Sequence, residues 1–362
     1  MKNTFGSSVA VTIFGESHGE YIGAVIDGLA PGIEIDHEYI AHMLNLRRPA
    51  GRISTPRQEK DEYRIVSGAW ENRTTGSPLT ILIPNESVKS GDYSQMKTVA
   101  RPSHADYTAQ CKYHGYQDFR GGGHFSGRIT AALVAAGAVC RNALEKKGIL
   151  MGTHVKKCGG ISDRELMDLQ DDIKALNEKS FAVLCEEAGE KMRGAILAAQ
   201  ETGDSVGGVL ETVVLGMPAG VGEPWFDTLE GMLSHMMFSI PAVKGIEFGA
   251  GFAISDMRGS EANDPVYIEN GKAVTKTNNN GGINGGISNG MPIMFRTAVK
   301  PTPTIFKPQN TIDFKDMTEV TLEPKGRHDP AIVHRAGIVQ TAATAIVLCD
   351  ALAMRFGTDW LK

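Results

Sequence analysis

Two long runs of small and apolar residues constrain this chain more than any other feature. One is GRITAALVAAGAVCRNALEKKG, Gly127 to Gly148. The other is AIVHRAGIVQTAATAIVLCDALAMRF, Ala331 to Phe356. The first reads as a helix capped by Ser126 and stopped at Gly148. The second reads as a buried helix whose small residues let neighbouring elements approach closely. Neither these nor any other run reaches the ~20 consecutive apolar residues that cross a bilayer.

The remaining pattern supplies strands in consecutive pairs. VAVTIFG (Val9 to Gly15) and IGAVIDGL (Ile22 to Leu29) alternate as strands around the glycine-bounded GESHGEY. YRIVSGAW and SPLTILIP read as a hairpin about ENRTTG, and VGGVLETVVLG and SNGMPIMFRTAVKPTPT as further strands. Asp36 predicts an N-cap for HEYIAHMLNL, and Ser103 one for HADYTAQCKYH. Helices are also expected at Gly189–Gln200 and in EPWFDTLEGMLSHMMF. Paired strands interspersed with helices favour an α+β architecture over a doubly wound sheet. No linker or internal repeat divides the 362 residues.

Composition narrows the function. A net charge of -5 excludes a general nucleic-acid surface, so any basic site is local. The five cysteines form no CxxC, which argues against a disulfide framework or zinc knuckle and suits a reducing cytosol. The N-terminus, MKNTFGSSVAVTIFGESHG, has neither signal-peptide nor transit-peptide character. A cytoplasmic protein that engages neither membrane nor nucleic acid is expected.

Six stretches carry chemistry. LRRPAGRISTPR holds Arg47, Arg48, Arg52 and Arg57 without an acid, and arginine grips carboxylate and phosphate in a bidentate fork. GESHG places Ser17 and His18 between glycines that admit close backbone approach. RPSHADYT puts His104 beside a helix start, where the dipole opposes protonation; a metal set of His104, Asp106, Cys111 and His114 matches no standard spacing. RGGGHFSGRIT (Arg120 to Thr130) reads as an anion loop at a helix N-terminus, with Arg120 and Arg128 adding charge. NNNGGINGGISNG is either a mobile surface loop or a backbone nest, followed by KPTPT with a lysine and threonine hydroxyls for a phosphate. KGRHDP sets a cation, an imidazole and a carboxylate in a row. Together they describe a pocket for anionic small molecules, two of them, with histidines placed for proton transfer. No Walker loop, Ser-His-Asp order, metal signature or ordinary dinucleotide fingerprint is present.

In that order, GESHG, LRRPAGR, RPSHADYT, GGG-x-x-S-x-R, GGISNG with KPTPT, and GRHDP resemble the chorismate synthase family, from about Thr4 to Arg355. The resemblance implies a single large domain over residues 1–362, a β-α-β sandwich with helices between antiparallel sheets, and a homotetramer. It implies a lyase that converts 5-enolpyruvylshikimate 3-phosphate to chorismate and phosphate by 1,4-elimination, using reduced FMN, with NADPH as flavin reductant in some members. Runners-up are a flavin- or nucleotide-binding protein without turnover and an FMN oxidoreductase.

On the same footing, the catalytic histidines fall on His18 and His104, the carboxylate near the flavin on Asp329, and the supporting hydroxyls on Ser17 and Ser126. Substrate-gripping arginines fall on Arg48, Arg52, Arg57 and Arg128, while Arg47 and Arg52 match positions associated with NADPH. FMN contacts fall on His124, Phe125, Ser126, Pro241, Ala242, Gly285, Lys300, Pro301, Thr302, Pro303, Thr304 and Arg327. Two departures stand out: His124-Phe125 where relatives often carry Arg-Ser, and Pro241-Ala242 where Asn-Ala is frequent.

Overall fold

The structure, a computed structural model, describes the chain apart from residues 1, 50, 55–58, 87–96 and 325–328. The first sheet contains β1 (Thr4–Phe5), β2 (Ala10–Gly15), β3 (Tyr21–Asp27), β4 (Arg64–Ser67) and β5 (Leu79–Pro84), in the order β1-β2-β3-β5-β4. The second contains β6 (Leu150–Cys158), β7 (Ile161–Ser162), β8 (Gly208–Leu215), β9 (Val243–Phe248) and β10 (Ile293–Val299), in the order β9-β10-β8-β6-β7. Every pairing in both sheets is antiparallel.

The helices are α1 (His37–Arg47), α2 (Asp106–Tyr113), α3 (Thr130–Lys146), α4 (Leu169–Leu176), α5 (Glu186–Glu201), α6 (Leu229–Met237) and α7 (Val333–Phe356). The two small-residue runs become α3 and α7, and they pack on each other between the sheets. α3 faces β3 and β5, and α7 faces β6 and β8. The expected helices between antiparallel sheets are therefore the architecture this chain adopts. Small residues make the contact close: a Cβ on Gly137 would stand 2.4 Å from the Ala342 carbonyl oxygen.

α7 is long and apolar enough to cross a membrane, which amends the expectation that no run qualifies; 89% of its most apolar window is buried inside the molecule. Its Asp350 carboxylate accepts from the amides of Ser7, Ser8 and Val9 at 2.7–3.0 Å, tying the β1–β2 turn to the central layer.

Local expectations hold where a cap or a period is present. Asp36 accepts from the Tyr39 amide at 2.9 Å and starts α1. Two caps differ. Ser103 does not cap α2: its φ is 61°, and the helix begins at Asp106 with no side-chain cap. Ser126 caps a 3₁₀ turn, Gly127–Ile129, which leads into α3. The run NNNGGINGGISNG is anchored by a carboxylate and a short ladder. The Asp264 carboxylate accepts from the amides of Asn279 and Asn280 (2.8 and 3.0 Å) and from the Thr277 hydroxyl, and Ile283–Asn284 pairs with Ile287–Ser288.

Candidate active site

A cleft of about 820 Å³ opens between the edge of the first sheet, the glycine loop, the β9–β10 end of the second sheet and the start of α7. Its volume falls in the range of small-ligand sites. Of the sequence-predicted residues it brings together His104, Ser126, Asp329, Arg47, Arg128, His124, Phe125, Pro241, Ala242, Lys300, Thr302, Pro303 and Thr304. Arg48, Arg52, Gly285 and Pro301 do not line it, and Arg52 is exposed. Arg57 and Arg327 lie outside the described residues.

The three glycines of the loop each meet a different neighbour, with φ of 59°, 84° and 54° at Gly121, Gly122 and Gly123. All three lie where side chains are strained. A Cβ on Gly121 would sit 2.6 Å from His18 Nε2 and 3.0 Å from Ser17 Oγ. Both of these residues are buried behind the loop rather than lining the cleft. Gly122 faces the His104 ring and Ser126, and Gly123 presses on the Asp118 carbonyl. The loop's polar backbone is used internally: the amides of Ser17 and Ser126 both donate to the Gly123 carbonyl. Glycine at 121 allows the loop to approach the His18 ring closely.

The flanking arginines are also committed. Arg120 donates Nε–H and Nη2–H to the two carboxylate oxygens of Asp118, at 2.8 and 2.9 Å. Arg128 donates from Nη1 to Asp61, from Nε to Asn85 (2.8 Å) and from Nη2 to the Pro84 carbonyl (3.0 Å). Arg47 meets the other oxygen of Asp61 at 2.8 Å. Burial pushes the Asp61 carboxyl up, but Arg47 and Arg128 outweigh it and hold it below the ordinary carboxylate value. Burial, with Arg335 and Arg128 alongside, draws Arg47 down to about 10 against the pull of Asp61. One buried anion thus holds two guanidiniums in the wall, and no motif signals it.

Two turns face the cleft from opposite sides. In Arg101-Pro102-Ser103-His104 the His104 amide donates to the Arg101 carbonyl, and Ser103 has φ 61°. In Ile240-Pro241-Ala242-Val243 the Val243 amide donates to the Ile240 carbonyl, and Ala242 has φ 74°. Proline at the second position and a positive φ at the third make both type II turns. Lys300 joins them: its amide donates to the Ala242 carbonyl at 3.0 Å and its ammonium to the Ser103 carbonyl at 2.5 Å. Burial and Lys244 lower the Lys300 ammonium from its ordinary value.

His124 Nδ1 lies 2.7 Å from the Gly15 carbonyl oxygen; since a carbonyl only accepts, Nδ1 carries the proton and donates. Phe125 meets Tyr113 edge-on at 6.2 Å. The His124-Phe125 departure therefore ties the loop to β2 and α2. Asp329 accepts from Arg335 Nη1 at 2.8 Å, and Arg335 Nε donates to the Arg47 carbonyl at 3.0 Å. Arg335, Asp61 and Arg101 are site residues that the sequence reading passed over. His104 and Asp106 face each other and Arg101 instead of forming a metal set, and among the described residues no group of three His, Cys, Asp or Glu is gathered for a metal.

The wall suits a phosphate-bearing ligand with a flat apolar body. Arg47, Arg101, Arg128, Lys300 and Arg335 bring positive charge, while Phe5, Ile13, Leu133, Met236 and Ile240 supply apolar surface. Arg47 Nε and the Thr302 hydroxyl are buried in the wall without a hydrogen-bond partner among the described residues. Such orphaned groups are costly unless a ligand or water satisfies them.

A sequence model described as chorismate synthase matches residues 9–353. The chain belongs to the chorismate synthase family. A chorismate synthase of Pyrococcus abyssi is 46% identical over 352 residues, covering 97% of this chain and 97% of the relative. One of Aeropyrum pernix is 44% identical, covering 98% and 93%. A solved structure titled as the crystal structure of chorismate synthase superimposes with a TM-score of 0.77 at 30% identity, covering 97% of this chain and 94% of that one. The protein is thus an enzyme of the chorismate synthase family, a lyase of the shikimate pathway.

Proposed function

We propose that this chain converts 5-enolpyruvylshikimate 3-phosphate to chorismate and phosphate by 1,4-elimination, with reduced FMN held in the cleft. The observation that carries this reading is the convergence of His104, Ser126 and Asp329 with lysine and arginine side chains and an apolar wall in one cleft of about 820 Å³. The substrate bears a phosphate and two carboxylates, so it needs cations without an overall basic protein. Arg47, Arg128 and Lys300 supply them, and Arg48, Arg52 and Arg57 are the further substrate anchors of this reading.

Reduced FMN supplies the electron-rich ring that a redox-neutral loss of an unactivated hydrogen requires. Residues to hold it are His124, Phe125, Ser126, Pro241, Ala242 and the Lys300–Thr304 segment, and Gly285 and Arg327 complete the set of this reading. His104 delivers a proton toward the departing phosphate or the substrate. His18, behind Gly121, supports the protonation state of the flavin pyrimidine edge. Asp329, held by Arg335, is the carboxylate beside the reacting centre, and Ser17 and Ser126 complete the hydrogen-bond relay. NADPH binding at Arg47 and Arg52 is the reductive half of the same proposal.

We also read the protein as a cytoplasmic homotetramer of one catalytic domain. Five cysteines without a disulfide support the first point. Exposed apolar side chains such as Trp225, Phe226 and Phe252 support the second.

The deciding experiment is an anaerobic assay with photoreduced FMN and 5-enolpyruvylshikimate 3-phosphate. Chorismate absorbance should grow with only catalytic flavin present. No absorbance at any enzyme concentration overturns the reading, and NADPH consumed in step with product would make the protein an oxidoreductase. Replacing photoreduced flavin by NADPH and FMN reports whether the chain reduces its own cofactor.

A further inference from the structure

The cluster around His104 contains more organisation than a proton donor alone requires. Arg101 grips Asp106 in a fork: Nε to Oδ2 and Nη2 to Oδ1, both at 2.8 Å, with the Arg101 amide adding a bond to Oδ2 at 2.9 Å. Both side chains are almost wholly buried. His104 Nδ1 lies 2.8 Å from Asp106 Oδ1 and 3.0 Å from Arg101 Nη2. These distances allow two arrangements. Either Nδ1–H donates to Asp106, or an unprotonated Nδ1 accepts from Arg101.

The second places a nitrogen lone pair against a carboxylate oxygen at 2.8 Å. Arg101 Nη2 already donates to that oxygen. Repulsion therefore favours a proton on Nδ1. The far edge of the ring faces the glycine loop, since a Cβ on Gly122 would lie 3.7 Å from Nε2.

We propose that Asp106, locked by Arg101, is the positioning residue that sets the tautomer of His104, keeping the proton on Nδ1 and leaving Nε2 to exchange one in the cleft. Burial pushes the Asp106 carboxyl up, but Arg101 and His104 outweigh it and hold it far below the usual range, so it stays an acceptor. Because Arg101 neutralises Asp106, the carboxylate orients the ring without tying it to a permanent proton. Among the described residues, other charged groups near the ring include Lys300, which fixes the Ser103 carbonyl, and Asp118, which is paired with Arg120. The tautomer follows from geometry alone; its effect on turnover rests on the lyase reading above.

The test is a long-range ¹H–¹⁵N spectrum of the full chain labelled at histidine, with the His104 signals identified by their loss in His104→Gln. In the neutral ring of the wild-type protein, Nδ1 should carry the proton and Nε2 should resonate as a bare nitrogen. Asp106→Asn should move population to the Nε2–H form and lower kcat on the order of 10- to 100-fold, with KM within about 2-fold. Arg101→Gln keeps the carboxylate and should keep the tautomer, so it serves as a second test if Asp106→Asn does not fold. A wild-type ring protonated on Nε2, or a tautomer that Arg101→Gln changes, overturns the proposal. A folded Asp106→Asn protein with a shifted tautomer and unchanged kcat overturns the positioning role. Absence of lyase activity in the wild-type protein would leave the tautomer result standing and count only against the lyase reading.

Discussion

Gly121, Gly122 and Gly123 look alike in sequence, but their surroundings separate them. At Gly123 a Cβ would lie 2.0 Å from a backbone carbonyl oxygen, and ψ is -128°. Neither the oxygen nor the conformation can yield without moving the loop. At Gly122 the nearest atoms are 3.6 Å away, so the strain of φ 84° is the main cost. Gly122→Ala should therefore lose about 1–2 kcal/mol, and Gly123→Ala at least about 3 kcal/mol, because the clash adds to the strain. Urea titrations of the two variants read the difference directly, and equal midpoints would contradict this ordering. Gly121→Ala should also lose stability, since its Cβ would stand 2.6 Å from the buried His18 ring at a φ of 59°. On the lyase reading it should weaken FMN and substrate binding as well. The same local view accounts for Ala242: proline ahead of it presets the turn, so an alanine tolerates a conformation that glycine or asparagine usually fills.

One row across the second sheet links residues on four strands. His154 on β6 faces Glu211 on β8, Glu211 faces Arg296 on β10, and Arg296 faces Glu247 on β9. The contacts run 3.0, 3.3 and 2.7 Å. Asp163 closes the row at 3.0 Å from His154 Nδ1, and Lys156 adds a cation 3.4 Å from Glu211. Burial alone would push His154 down, but its two carboxylates outweigh it and hold it above the ordinary histidine value. Burial likewise pushes Asp163 and Glu211 up, yet their partners hold both below ordinary. The folded chain therefore binds the His154 proton more tightly than the unfolded chain. That stability is complete below about pH 6.5 and is lost as pH rises through the raised folded value. Asp163 and Glu211 contribute stability present above about pH 4 and lost as pH falls through their lowered values. Stability measured by urea midpoint should decline from pH 6 to 9, and His154→Gln should flatten that decline. A wild-type midpoint constant over this range would contradict the assignment. This row also explains which elements were legible. β2, β3, β8 and α1 announce themselves by alternation or a cap. β6, LMGTHVKKC, hides because its buried histidine is acceptable only beside Glu211, 57 residues away. β9 gave no local signal either, whereas α4 carried one that the sequence reading passed over: Asp168 caps it, and Leu169, Ile173 and Leu176 recur at helical spacing.

At the scale of the whole molecule, the cleft gathers residues from Lys2 to Val339. The sequence revealed the pieces that belong to short motifs, such as His104, Ser126, Arg128 and Lys300. It could not reveal Asp61, whose value comes from standing between two arginines contributed by separate elements. Nor could it show that His18 lies behind Gly121, because that contact joins the β2–β3 connection to a loop over 100 residues later. A site assembled from both sheets and α7 makes ligand binding inseparable from global stability. Anything that binds only the folded chain raises its unfolding free energy by about 2.7 kcal/mol at a free concentration near 100 times Kd. For a chain of 362 residues that corresponds to roughly 3–4 °C in Tm. Oxidised FMN added together with 5-enolpyruvylshikimate 3-phosphate should produce such a rise without turnover. Lys300→Met removes a cleft cation and the tie between the two type II turns, so it should shrink the rise at the same ligand concentrations. Scanning calorimetry of both proteins, with and without the ligand pair, makes the comparison. An unshifted wild-type Tm at ligand concentrations near 100 times the expected Kd would show that the pair does not bind the folded chain, and an equal rise in Lys300→Met would remove Lys300 from the ligand contacts.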